Sequence, residues 1–330
     1  MLPVGRPGLL ALLAALACGL LATFAACRQA TTPPPPARPL RVGLDVWAGY
    51  YPLVLAEAKG FLAAEKVSVD IQFPQDTQRM IAEFAARQYD LIGVSLADII
   101  LTTRVHPQLR LILQSDESVG GDVILSRAPF SPATLRGQRI GTTLGGFGEF
   151  FVRQFLDRHG VAPGEITLVH TDSAAVNDLL ATGQIDLGHN WEPYASAGRK
   201  AGYTEVFSSR DTPGLILDGI ITHTSLIERR TADLQGLVRA WFRAVDWWRQ
   251  NPAAGNALIE QRLKLAPGSV SLDGLRLLDR AENQRAFGPD VTQGPIGRTL
   301  ATQVEFFINR GALGRRVLPA EVLDPRFIQP

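Results

Sequence analysis

Cysteine is nearly missing from this 330-residue chain: the two present, Cys18 and Cys27, both fall within the first 27 residues. The body beyond them therefore has no disulfide, no thiolate nucleophile and no cysteine metal ligand, which removes several enzyme classes at once. Charge of one sign is scarce too: 33 Lys and Arg stand against 32 Asp and Glu, a net charge of +1. No long-range field draws the chain to nucleic acid or to an anionic membrane surface. Five histidines, His106, His159, His170, His189 and His223, show no metal-ligand spacing such as H-E-x-x-H. They read as surface or structural, with His189 alone beside the candidate site. A G-x-S-x-G elbow, a phosphate loop and the G-x-G-x-x-G dinucleotide spacing are all absent. Neither a cofactor nor a metal is expected, and the chain is not expected to be an enzyme.

What is present begins with a leader. Arg6 gives a short basic start, Leu9 to Ala26 is apolar and free of charge, and Cys27 ends the run. This is the pattern of an export signal. Phe24-Ala25-Ala26-Cys27 resembles the lipobox of bacterial lipoproteins, with Phe24 where leucine is usual. Residues 1–27 are thus expected to be a lipoprotein signal peptide with Cys27 lipidated; plain export and an uncleaved single span are the alternatives. Residues 28–39 contain Pro33-Pro34-Pro35-Pro36 and read as an extended tether, reaching about 35 Å at roughly 3.1 Å per residue.

From Leu40 the pattern alternates short apolar runs with helical stretches. Strands are expected at 40–46, 67–73, 90–95 and 110–115, with helices at 51–63, 75–87 and 96–103 between them. A second set has strands at 138–143, 166–170, 185–189 and 205–208, with helices at 147–159, 174–182 and 193–201. Such alternation predicts α/β architecture, with mixed, mostly parallel sheets covered by helices on both faces. Two sets predict two lobes: residues 40–122 with 224–330, and residues 123–223. The β-prone runs 122–126 and 217–223 are expected to be two crossing strands of a hinge. Leu237, Val238, Trp241, Val245 and Trp248 share one helical face within 234–249, a tail expected to pack back on the first lobe. Trp241, Trp247 and Trp248 are read as packing residues.

Several segments, in order, carry a resemblance: Trp47-Ala48-Gly49-Tyr50-Tyr51-Pro52 with Ala56-Glu57-Ala58-Lys59-Gly60-Phe61; Tyr89 to Val94 leading to Asp98; and Asp116 to Asp122. Leu135 to Gly141, Gly145-Gly146-Phe147-Gly148, Gly183-Gln184-Ile185-Asp186, Trp191-Glu192-Pro193 and Pro213-Gly214 before Asp218 complete the set. From about Leu40 to Asn251 the chain resembles the periplasmic binding proteins of the nitrate, sulfonate, taurine and thiamine-precursor group, the NMT1/THI5-like family. The resemblance implies a two-lobed clamshell of type II, a small-molecule solute, and an ABC permease and ATPase as partners. It places the protein outside the cytoplasm, lipid-anchored to the membrane and monomeric, with no nucleic-acid partner. A eukaryotic branch of the family makes the thiamine pyrimidine with a cysteine-rich motif that the body here lacks. A ligand sensor for a membrane receptor is a third reading.

In open α/β architecture ligands sit beyond the carboxyl ends of strands, at loops that begin helices. Trp47, Tyr50 and Tyr51 follow the first strand, and Ser95 and Asp98 the third; capping the lobe, or a helix-start charge, is the plainer role. Asp116, Asp122 and Asp218 flank the hinge runs, where they either bind ligand or anchor the crossing. Gly145, Gly146 and Gly148 open a helix whose amides can approach a polar oxygen or cap the helix. Trp191 and Glu192 directly follow a strand and make better sense at a cleft wall than in a core. These aromatic and acidic side chains, with no Lys or Arg in their segments, favour an amine-bearing or aminopyrimidine-like solute over nitrate or a sulfonate. The opposite outcome follows if Arg79, Arg127 or Arg153 swings into the site or if the glycine-loop amides hold an oxyanion.

Overall fold

The structure, a computed structural model, describes residues 38–74 and 76–329. The leader, Cys27 and all but the last two residues of the proline-rich stretch lie outside the described residues. Among the described residues no helix is long and apolar enough to cross a membrane.

The chain alternates strands and helices as the periodicity predicts. In order come β1 (Leu40–Leu44), α1 (Pro52–Ala58), α2 (Phe61–Ala64), β2 (Val69–Gln72), α3 (Thr77–Ala85), β3 (Leu91–Ser95), α4 (Leu96–Thr102) and β4 (Leu109–Ser118). The second set is β5 (Asp122–Ser126), β6 (Arg139–Thr142), α5 (Phe147–Arg158), β7 (Thr167–His170), α6 (Ser173–Ala181), β8 (Leu187–Trp191), α7 (Tyr194–Lys200) and β9 (Thr204–Ser208). The chain then returns through β10 (Leu217–His223), α8 (Thr224–Gln250), α9 (Pro252–Leu263), β11 (Leu275–Leu277), α10 (Arg280–Phe287), α11 (Pro295–Asn309) and α12 (Pro319–Val322). The single helix expected over 51–63 is two, because Gly60 takes a left-handed conformation (φ +71°) that stops α1 and starts α2.

The strands form two sheets, ordered β11-β4-β10-β3-β1-β2 and β7-β6-β8-β5-β9. In the first, β1 to β4 run one way and β10 and β11 the other. In the second, β5 alone opposes the rest. Inner strands β3, β5 and β10 are buried along their whole length, as strands covered on both faces must be. Helix α8 lays its apolar stripe on α1 and α2, with Trp241 and Trp248 fully buried, so the tail packs on the first sheet's side. Trp247 lies at the edge of this core under the Lys59 ammonium, 4.3 Å from the ring.

The expected hinge strands require a correction. Asp122–Ser126 pairs wholly within the second sheet, and Leu217–His223 is an inner strand of the first, between β3 and β4, not the far end of the second. The segments that cross are 119–121 and 209–216. They are bound together by Ser118 Oγ to Ser209 Oγ at 2.8 Å, Gly120 N–H to Ser209 Oγ at 2.7 Å and Ser118 N–H to Ile216 O at 3.0 Å. Gly274 O accepts from Val119 and Gly121 N–H at 2.8 and 2.9 Å, adding a third strand of chain to the crossing. Gly120 has φ +122°, a conformation that strains residues with a side chain, so glycine is favoured at this crossing.

Candidate ligand-binding cleft

The carboxyl ends of β1 and β3 face those of β6 and β8 across a gap between the sheets. The antiparallel strands β5 and β10 begin at the same edge, which brings Asp122 and Asp218 to it. Together they enclose an inner chamber of about 60 Å³. On the first sheet's side it is lined by Asp45, Trp47 and Tyr50 after β1, Thr77 and Gln78 at the start of α3, Val94 and Ser95 ending β3, Asp98 in the first turn of α4, and Asp218. The other wall is Asp122, Thr143, Phe147 and Gly148 at the start of α5, and Trp191 ending β8. An outer chamber of about 160 Å³ adjoins it and shares Asp45, Thr77, Gln78, Thr143 and Trp191.

Each carboxylate is held by short polar contacts. Asp218 Oδ1 accepts the Tyr50 hydroxyl at 2.6 Å. Asp98 Oδ2 accepts Ser95 Oγ at 2.9 Å, while Oδ1 accepts the Phe147 N–H at 3.1 Å from the opposite wall. Asp45 accepts Thr77 Oγ1 at 2.5 Å and the Val46 N–H at 2.7 Å. Asp122 Oδ1 lies 3.5 Å from His189 Nε2, a buried ring nitrogen with no hydrogen-bond partner. Behind the wall, the buried Asp116 accepts Trp47 Nε1 at 3.0 Å and Ser115 Oγ at 2.7 Å, directly beside Asp218 in register.

Removal from water disfavours the charged form of these groups. Burial pushes the Asp98 carboxyl up to about 6 against the Ser95 hydrogen bond, and Asp116 up to about 7, with the Asp122 charge adding to it. Asp218 is raised well above the ordinary carboxylate range by burial and by Asp116. Tyr50 is likewise driven up, by burial and the Asp218 charge, so its hydroxyl stays a donor. The chamber is thus lined by carboxyl groups and hydroxyls with no basic side chain beside them: among the described residues no Lys or Arg lines it.

Eight of the thirteen candidate ligand residues line the inner chamber: Trp47, Tyr50, Ser95, Asp98, Asp122, Gly148, Trp191 and Asp218. Five do not. Tyr51 turns into the core and packs edge-on against Phe73 with ring centroids 6.2 Å apart. Asp116 sits behind Trp47. Gly145 N–H donates to Glu149, and Gly145 and Gly146 open onto a separate cavity beside Arg153. Glu192 is taken out of the cleft by Arg199, 2.7 Å away, and by the Ser196 N–H at 3.0 Å, so the cleft-wall carboxylate expected there is a helix-start ion pair instead. Outside the chamber lining, Arg79 pairs with Glu83, Arg127 with Asp186 and Arg153 with Glu149, although the buried Arg153 Nη1 has no hydrogen-bond partner. Sequence reasoning missed Asp45, Thr77, Gln78, Val94, Thr143 and Phe147. Asp45 and Thr143 follow β1 and β6 directly, the same signal that marked Trp47 and Ser95. Among the described residues no group of His, Cys, Asp and Glu is arranged to hold a metal ion. His106 and His223 bond to each other at 2.8 Å in the core, away from the cleft.

Over residues 47–255 the sequence matches the family described as NMT1/THI5 like. No curated protein was found to match. Among solved structures, the alkanesulfonate-binding protein SsuA from Xanthomonas axonopodis pv. citri, bound to MOPS, aligns with TM-score 0.73 and 17% identity over 88% of this chain and 99% of its own. The periplasmic nitrate-binding protein NrtA from Synechocystis PCC 6803 aligns with TM-score 0.68 and 13% identity, covering 87% and 86% of the two chains. The desulfurization enzyme DszB shares the fold as well, at TM-score 0.61 and 16% identity over 88% and 97%. The architecture is therefore the two-lobed α/β fold of these proteins.

Proposed function

The chain belongs to the NMT1/THI5-like family, and on that premise we propose that it is the exported solute-binding component of an ABC-type importer, closing two lobes around a small cationic solute. The observation that carries the reading is the inner chamber, where Asp45, Asp98, Asp122 and Asp218 meet Trp47, Tyr50, Phe147 and Trp191 with no Lys or Arg. A protonated amine or an aminopyrimidine-like ring satisfies acceptors and aromatic faces together, each aromatic contact adding roughly 0.5–2 kcal/mol. An anion of the kind bound by the sulfonate and nitrate proteins meets carboxylates instead. Like charges about 4 Å apart repel by about 4 kcal/mol at an effective dielectric of about 20.

In this reading the lobes are residues 40–118 with 217–330, and 122–208, and hinge closure presents the loaded form to a membrane permease pair and its ATPase. Cys27 carries the lipid anchor, residues 28–39 are the tether, and the protein works as a monomer. The desulfurization enzyme shows that this fold also supports catalysis. Here both cysteines precede residue 28, so no thiol reaches the chamber, and its carboxylates and aromatic faces are read as holding the solute. Thermal-shift screening tests the solute class. Protonated amines should raise the melting temperature, and taurine, alkyl sulfonates and nitrate should not. Stabilisation by the anions alone would overturn the assignment.

The acid groups also fix a pH dependence. Asp98 and Asp116 have folded values of about 6 and about 7, above the ordinary 3.8. Between about pH 4 and 7 the folded chain therefore holds protons that the unfolded chain has released, so these groups lower stability as pH rises. A bound cation favours the deprotonated forms, and an aliphatic amine stays charged to about pH 10. The unliganded melting temperature should fall, and amine affinity should rise, from pH 5 to pH 7.5. Calorimetry showing amine affinity flat or falling across that range would contradict the scheme.

A further inference from the structure

We infer that the solute is elongated and carries two cationic nitrogen groups, one seated in the inner chamber and one in the outer, an inference that rests on the cation-binding reading above. The outer chamber, about 160 Å³, adds Asp76 and Asp172 to the shared Asp45 and again has no Lys or Arg in its lining. Asp172, at the N-terminus of α6, makes no side-chain capping bond. Next to it Ser173 is 3% exposed, and its Oγ is buried without a hydrogen-bond partner. A buried hydroxyl without a partner is costly, and a ligand N–H is the group that relieves it. The neighbouring His170 accepts the Leu144 N–H on Nδ1 at 3.2 Å.

Continuity between the chambers sets the shape of the solute. Thr77, Gln78 and Trp191 line both, so a methylene or flat linker passing over the Trp191 indole joins the two charged ends. Burial, and after it the charge of Asp172, hold the Asp45 carboxyl above its usual range, which places the two acids within electrostatic reach of each other. Asp76 already accepts the Arg79 N–H at 2.9 Å, but a single ammonium in the inner chamber leaves Asp172 and the Ser173 hydroxyl without a partner; a second nitrogen group satisfies them. One inner cation alone also leaves most of the combined volume to water.

The test is calorimetry with α,ω-diaminoalkanes of stepwise length against monoamines of matched length. The best diamine should bind at least about 10-fold tighter than its monoamine, one decade being about 1.4 kcal/mol. The double substitution Asp172→Asn with Ser173→Ala should remove that advantage while changing monoamine affinity far less; Asp172→Asn alone serves if the double variant does not fold, and should remove most of it. Monoamine binding with no diamine exceeding it overturns the two-nitrogen inference and leaves the cation reading standing. A diamine advantage that survives the substitutions overturns the outer chamber as the second subsite. Binding of taurine or nitrate with no amine bound at all overturns the cation reading itself.

Discussion

Replacing Asp122 by Asn should weaken binding of a cationic solute by about 30- to 3,000-fold while leaving the empty protein as stable as before or more so. Asp122 is 3% exposed, lines the inner chamber and, among the described residues, has His189, 3.5 Å away, as its one basic neighbour. Removing one partner of a buried charge pair costs roughly 2–5 kcal/mol, and each decade of affinity is about 1.4 kcal/mol. The empty protein responds in the opposite sense. The Asp122 charge raises the carboxyls of both Asp116 and Asp218, so neutralising it relieves repulsion among buried acids. Opposite signs separate a binding role from a structural one: a residue that merely anchors the crossing would lower the melting temperature when changed. Titration calorimetry and melting of the same variant read both quantities. A variant that melts earlier and binds as the wild type does would return Asp122 to the anchoring role.

The same polarity explains what was legible in the sequence and what was not. Local periodicity placed most strands and helices near their observed bounds, because short apolar-rich runs such as those of β1 and β3 alternate with helical stretches. It could not place β10, since strand order is a long-range property: Leu217–His223 looks the same from within whether it ends one sheet or is inserted into the other. Position after a strand pointed to Trp47, Ser95, Asp98 and Trp191, which do line the chamber. Side-chain direction escaped it. Tyr50 and Tyr51 are consecutive, yet one reaches Asp218 and the other Phe73. Glu192 has the same place after β8 that Asp45 has after β1, but an arginine on the following helix captures it at 2.7 Å. Among the described residues Asp45 meets a threonine hydroxyl and a backbone N–H but no basic side chain, so its carboxyl stays available to the cleft.

Closure itself has a single-residue test at Gly146. A Cβ there would stand 2.5 Å from Asp98 Oδ1 and 3.0 Å from Gln78 Nε2, both atoms of the opposite wall. The φ of Gly146, −148°, lies outside the left-handed region that favours glycine. Gly146→Ala therefore acts on the closed arrangement and leaves the start of α5 undisturbed within its own half. Asp98 has little room to yield, since Ser95 holds one oxygen at 2.9 Å and the Phe147 N–H the other at 3.1 Å. Pushing it back breaks the Phe147 contact, a hydrogen bond to a charged group and so a loss of about 1.5–3 kcal/mol. Solute affinity should fall about 10- to 100-fold, with the unliganded melting temperature nearly unchanged. In small-angle scattering the wild type should contract when a binding amine is added, and the variant should keep its larger radius at the same amine concentration. Contraction of the variant to the wild-type value, with undiminished affinity, would mean that the walls meet without the Asp98–Phe147 contact and that the latch between the lobes lies elsewhere.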